Sequence, residues 1–565
     1  MMIQKRALFF LLFSGAWFGN AQQPMVALPQ GSTWTPALRT QYWFEDQGSK
    51  LMPYSWFLHL ECPAKPMLPC PAGTKMKDNL TTYGFVIAPT GPEYAESEKL
   101  NPGVLPIGFA RHVDSEGPDR GVPFVGFTCA ACHSTRIDFP GKGALLIEGA
   151  PGKVDLDVFI YDVAAAMHET LNEPSRLKRF LAAANEPDSL PRLKERVRFL
   201  DLHVKTDADA IPNGYGRTDA FGGIFNQILL DINAGSNLTP EQMGIVPLDA
   251  PSSYPFIWDI SQQQIVQWNG SAPNLGEQGT GSILRNVGEV LGVFGQLSVP
   301  TSTVKPLIPK PPKYQSSAVV ANLRIIESWV ADLRSPQWPG PLAVQATRDA
   351  GEQIYLRECS GCHAIIDRET RKYPIRTHMV PVDEVQTDRQ LVDNFRLREG
   401  SAGALTGQFT FTDPKALLKR FDERSPLREL TVNAALGAYS AQANDSLLKS
   451  IDDDLKELAE GTPSLTSYKA RPLDGIWATG PFLHNGSVPS LAELLKTPQN
   501  RASQFCVGSD LYDVKNVGYV SSLPCGPRQF LFDTRFRGNS NAGHAYGTQL
   551  SDADKANLLE YLKTL

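Results

Sequence analysis

Past Phe18 the chain has no apolar run approaching the ~20 residues needed to span a bilayer, no block of like charge and no long low-complexity tract. The first absence argues against a membrane span in the body of the chain. The second, with a formal charge of only −6 over 565 residues, leaves nothing to hold a phosphate backbone, so nucleic acid is not an expected partner. Histidine and cysteine are scarce, at 9 and 8 residues. Wherever they cluster, the clustering carries information.

What is present is a globular composition, 42% hydrophobic and 20% charged, with enough Gly (46) and Pro (44) for many loops. Such a length exceeds one hydrophobic core and predicts at least two domains. At the start, Lys5 and Arg6 precede an apolar run from Ala7 to Phe18, then Gly19-Asn20-Ala21. A short basic region, an apolar stretch and small residues at the cleavage point read as a secretory signal peptide over 1–21. A membrane anchor would need a longer run, and the lack of a Cys beside the cleavage point argues against a lipid anchor. Cleavage would lower the charge by two. The expected location is the periplasm or the medium.

Export places the thiols where disulfides are the default. Four of the eight, however, stand in Cys129-Ala130-Ala131-Cys132-His133 and Cys359-Ser360-Gly361-Cys362-His363. Each is C-x-x-C-H, the attachment signature of c-type haem. Two thiols add to the two vinyl groups of one porphyrin edge, and the adjacent His reaches the iron as proximal ligand. At this composition a chance match arises in roughly two of a thousand chains, and a pair far less often. A thioredoxin-like dithiol would want a βαβ context, and a zinc site a second Cys pair nearby. Two covalently bound haem c groups are therefore expected, with His133 and His363 on the irons. The remaining cysteines fall into neighbouring pairs, Cys62 with Cys70 and Cys506 with Cys525, read as structural disulfides.

Pro300 to Pro312 reads as a Pro-rich linker. It divides the chain into an N-terminal haem domain over 22–312 and a C-terminal cytochrome c-like haem domain over 313–565. Val319–Leu333, Val344–Arg357, Leu156–Met167 and Pro191–Val204 carry helical periodicity. At the end, Ser551 and Asp554 form a capping signal before the stripe Leu558, Leu559, Leu562, Leu565. Gly351, Ile354 and Tyr355 before Cys359 resemble the helix that leads into the haem motif of cytochrome c domains, and the last helix resembles the one that packs across it. Gly121–Thr128, before Cys129, lacks that pattern, so the first domain is divergent. The expected fold class is mainly α, two cytochrome c-like domains with long ordered loops and little strand.

A six-coordinate iron passes electrons, whereas an open one binds small ligands. Beyond the proximal pair the sequence offers His59, His112, His168, His203, His378, His484 and His544. The segment Gly480-Pro481-Phe482-Leu483-His484-Asn485-Gly486-Ser487, running on to Leu491, resembles one that lies over the second haem in the bacterial dihaem cytochrome c peroxidase superfamily. Within it, Tyr83-Gly84-Phe85, Leu105–Phe109, Gly214–Ala220 and Asn539–His544 resemble segments of the haem c rubber-oxygenase-like dihaem cytochromes. The resemblance implies His484 as sixth ligand of the second iron, with Met379 as competitor, and suggests Arg217 as partner of a haem propionate, a structural salt bridge being the other reading.

Trp268-Asn269-Gly270-Ser271-Ala272, followed by Leu275, Glu277 and Gln278, resembles the peroxidase element whose Trp conducts electrons between the haems. By that resemblance Trp268 is the expected conduit. Gln278 and Glu289 match residues that flank the open iron, the Glu moving protons. Ile283 stands near where rubber oxygenases place a Phe beside dioxygen, a departure that puts polyisoprene cleavage in doubt. Peroxidases of this kind often hold Ca²⁺ between domains, but no ligand cluster specific to it is legible.

The expectation is an exported dihaem oxidoreductase that activates O₂ at the first haem and cleaves an apolar alkene. The rival readings are a peroxidase drawing electrons for H₂O₂ from a small redox protein, and a dihaem electron carrier with no substrate.

Overall fold

The computed structural model describes residues 25–186, 188–207, 210–274, 280–300, 312–368, 375, 377–410, 419–443 and 465–565. The expected signal peptide, nearly all of the Pro-rich linker, and Leu275, Glu277 and Gln278 lie outside them. No helix of the described residues is long and apolar enough to cross a membrane.

The first haem motif joins two small sheets. One pairs Phe109–Val113 and Met52–Pro53 on either side of Pro123–Phe127; the other sets Gly143–Glu148 between Val26–Ala27 and Ser134–Phe139. Strand Pro123–Phe127 runs into Thr128, whose side chain accepts from the Ala130 N–H and caps the short helix Cys129–Cys132. His133 follows, then the next strand. A backbone crossing fixes this turn. Gly108 (φ +94°) lies so close that an added Cβ would stand 2.3 Å from Ala131 Cα, and its carbonyl accepts from Thr128 N at 2.8 Å. Only glycine serves there.

Below these sheets the helix Leu156–Asn172 starts at its Asp155 cap and buries Phe159, Ile160, Val163 and Met167, the stripe read from the sequence. With Phe57, Phe85, Phe109 and Phe127 it builds an aromatic core. Each such side chain contributes about 1.5–3 kcal/mol on burial. Leu190–Thr206 packs on the same cluster.

In the second half, helix Gln345–Glu358 leads into Cys359 and is crossed by the last helix, Asp552–Leu562. They touch backbone to backbone at Gly351, where an added Cβ would lie 2.1 Å from the Asn557 carbonyl oxygen. Ser551 caps the last helix by accepting from Asp554 N at 3.1 Å. A two-stranded ribbon pairs Met379 with Lys469 and Val380 with Tyr468. Described strands are short, none longer than six residues. Both expected disulfides, Cys62–Cys70 and Cys506–Cys525, are formed.

Apolar packing ignores residue 312. Phe225, Ile283 and Leu291 share one cluster with Leu323, Leu430 and Tyr439, and Trp43 and Leu146 share another with Tyr355, Trp477 and Leu562.

Candidate haem sites

The second motif opens onto a largely apolar cavity of about 300 Å³, at the lower end of the roughly 300–1,000 Å³ range of cofactor pockets. Cys359, Cys362 and His363 stand on its wall with Trp268, Tyr468, Lys469, Arg471, His484 and His544. His363 Nδ1 lies 2.6 Å from the Arg471 carbonyl oxygen, and its own carbonyl accepts from the Tyr355 hydroxyl at 3.0 Å. A carbonyl can only accept, so Nδ1 carries the proton and Nε2 keeps its lone pair for a metal. Burial, countered in part by that bond, keeps the ring below its ordinary pKa and neutral.

Two further imidazoles line the cavity, in different settings. His544 faces His363, with ring centroids 6.2 Å apart. Two imidazole–metal bonds of about 2.0 Å plus about 1.1 Å from each nitrogen to its ring centre give about 6.2 Å, the spacing of a bis-imidazole metal site. His544 sits at φ +45°, a strain found at ligand clamps. Arg501 holds it there by donating to the carbonyls of Asn541, Gly543 and His544. Burial first, then the neighbouring His363, lowers its pKa to about 3.

His484 is stacked on Tyr468 at 4.1 Å, with Nε2 3.0 Å from the Tyr468 hydroxyl. That hydroxyl donates to the Asp388 carbonyl at 2.7 Å. The expected sixth ligand, His484, lines the cavity, and so does His544, which the sequence reading did not single out as a ligand. Burial lowers the His484 pKa to about 3. The residues after it build a turn: Phe482 and Val488 bond each other's backbone, and Asn485 Nδ2 donates to Gly538 and Ser540 carbonyls. Met379 is spent elsewhere. Its thioether lies over Gly270, where an added Cβ would meet Sδ at 2.7 Å.

At the first motif His133 Nδ1 lies 2.8 Å from the Pro255 carbonyl oxygen, the same orientation that frees Nε2. Burial lowers its pKa to about 4, and the positive Arg471 and Arg285 act the same way. The Cys129 thiol donates to Gln47 Oε1 at 3.3 Å, and Cys132 interacts with Tyr254. Both thiols are half-buried, yet burial pushes each up to about 12.

Glu289, on helix Thr280–Gly292, shares that character: its side chain is 41% exposed while burial raises its carboxyl. Its charge acts on both Cys129 and Cys132, and Gln267 Nε2 donates to Oε1 at 2.9 Å. Ile283, by contrast, is 1% exposed and packed with Phe225, Ile228 and Val287 in the apolar core. Arg217 lies over the Phe532 ring at 4.2 Å and donates to the carbonyls of Asn213 and Asn485 and to Asn539 Oδ1. It clamps the His484 turn to the first half and is not among the residues lining the cavity.

Trp268, on the wall of the second cavity, donates from Nε1 to the Ser253 carbonyl at 2.9 Å, and its own carbonyl accepts from Lys469 N at 2.8 Å. Among the described residues no three His, Cys, Asp or Glu side chains converge on a bare-metal site. A haem iron needs only two axial ligands, and paired thiols beside an oriented imidazole fit such a group at both motifs.

This donor set fits a c-type haem. Residues 467–506, which carry Tyr468, Arg471 and the His484 turn, match a family described as RoxA-like, cytochrome c-like. Two uncharacterized proteins of Sinorhizobium fredii are also similar. One, y4iJ, is 28% identical over 595 residues, 94% of this chain and 92% of its own length. The other, y4iM, is 24% identical over 378 residues, 63% of this chain and 73% of its own. The match supports a RoxA-like relationship and suggests a haem-dependent oxidoreductase.

Proposed function

We propose that the protein is an exported dihaem c oxidoreductase, with His133 on a first iron open on its other face and His363 and His544 on a second, closed one. The observation that carries this reading is the repeated arrangement of a C-x-x-C-H motif whose His Nδ1 faces a backbone carbonyl at 2.8 and 2.6 Å. Haem bound there supplies the redox change and, where a face is open, the binding of O₂ or peroxide. The chain's residues do the rest. Pro255 and Arg471 hold the two imidazoles in one tautomer, the apolar walls limit water at the second site, and Trp268 is the electron conduit between the two sites. The reaction proposed is O₂-dependent cleavage of an apolar alkene, as the sequence resemblance to rubber-oxygenase-like cytochromes implies.

Glu289 favours a second reading. A carboxyl raised by burial beside the first motif can hold a proton and return it, the requirement for reducing H₂O₂ with electrons from a small redox protein. The test begins with holoprotein reduced by dithionite and exposed to CO. One CO per two haems is expected; none would leave an electron carrier without a substrate. Oxygen uptake with an apolar polyene, against peroxide consumption with a reduced donor, then separates the two enzymes.

A further inference from the structure

Four consecutive residues, Ser253-Tyr254-Pro255-Phe256, touch both motifs. Ser253 N bonds the His484 carbonyl at 2.8 Å, Tyr254 reaches Cys132, the Pro255 carbonyl orients His133, and the Phe256 carbonyl accepts from Arg471 Nη2. Arg471 answers from the other side. Its own carbonyl orients His363, and its guanidinium lies 3.6 Å from the Phe256 ring centre and 5.4 Å from that of Trp268. It is 5% exposed, and its Nε has no partner among the described residues.

We infer that Arg471 is a positioning residue that couples the two haem sites, holding His363 by its carbonyl and reaching His133 through Phe256 and Pro255. This rests on the proximal roles proposed for His133 and His363, and on nothing about the substrate. A hydrogen bond to Nδ1 sets the basicity of an imidazole ligand and so the potential of its iron. The buried guanidinium adds a positive charge that acts on His133 and lies beside Trp268 on the wall of the second cavity, where the low local dielectric leaves it little screened. It disfavours the oxidised, more positive state at both irons and raises both potentials. Because one residue touches both settings, a change at one iron reaches the other.

The experiment is a redox titration of holoprotein carrying Arg471→Gln or Arg471→Lys, with haem content fixed by pyridine haemochrome. R471Q is expected to lower both midpoint potentials and R471K to restore most of the loss. Unchanged potentials in R471Q would overturn the inference. So would a shift confined to the second haem, which would make Arg471 a local partner of that group, for instance of its propionates. If the variants fail to mature, half-reduced wild-type protein serves: the EPR g-values of the haem still ferric should differ from those in fully oxidised protein, and identical values would sink the coupling. A wild type holding two haems but turning over neither O₂ nor peroxide would refute the proposed reaction and leave this result standing.

Discussion

Replacing His544 by Ala tests which side chain closes the second iron. In the structure the His363–His544 centroid spacing of 6.2 Å matches the sum of two metal–imidazole bonds and two ring radii, about 6.2 Å, so on the proposed assignment H544A removes a ligand and keeps the proximal one. The second iron then gains an open position. The reduced protein should bind two CO per chain instead of one, and the resting spectrum should change from one low-spin haem to none. H484A is the matched control. It removes a buried ring stacked at 4.1 Å on Tyr468 that the proposed assignment leaves off the iron, so CO stoichiometry should stay at one per chain. The reverse outcome, with H484A opening the second iron and H544A leaving it low-spin, would refute the geometric argument.

Glu289→Gln should cut peroxide turnover by about 10²–10⁴-fold if the carboxyl moves a proton in that reaction, and leave O₂ uptake with a polyene within a few-fold; steady-state rates with both substrates decide. His112 lies between Asp46 (2.8 Å) and Asp114 (2.9 Å); burial alone would lower its pKa, but the two carboxylates carry it above 6.5. A raised folded pKa stabilises fully below the unfolded value and fades as pH climbs through the folded one. The melting temperature lost in His112→Gln should therefore be largest near pH 6 and shrink above neutrality, and a pH-independent loss would contradict it. Gly351→Ala should cost at least the roughly 1–3 kcal/mol of overpacking, because a Cβ 2.1 Å from the Asn557 carbonyl oxygen must part the two helices; thermal melts read this directly.

Much of the frame was legible because it is local. Periodicity placed the helices found at Leu156–Asn172, Leu190–Thr206, Val320–Asp332, Gln345–Glu358 and Asp552–Leu562 to within a few residues. Cysteine spacing sorted the two disulfide pairs from the four thiols left free. What escaped depends on contacts distant in sequence. His484 drew attention through Asn485, Gly486 and Ser487, but those residues close a turn tied to Gly538 and Ser540. The other imidazole at the cavity lies beyond that tie, in Asn539–His544, whose only sequence signal was a short resemblance. Arg217 looked free for an anion, yet its acceptors come from three separate segments. Ile283 was placed by counting from Trp268 across residues 275–279, which lie outside the described set, and its side chain faces the core. Arg471 carried no motif at all; its importance rests on a carbonyl and a guanidinium pointing opposite ways.

The wall of the second cavity has an unexpected ownership. Pro151, Ser253, Tyr254, Phe256 and Trp268 all belong to the half of the chain that carries the other motif. Excised at residue 313, the C-terminal piece would keep its thiols and its proximal imidazole but lose one side of the chamber around them. A porphyrin tethered there would be bathed in water and open to bulky reductants. Whoever wishes to transplant this redox module must carry the neighbour along with it.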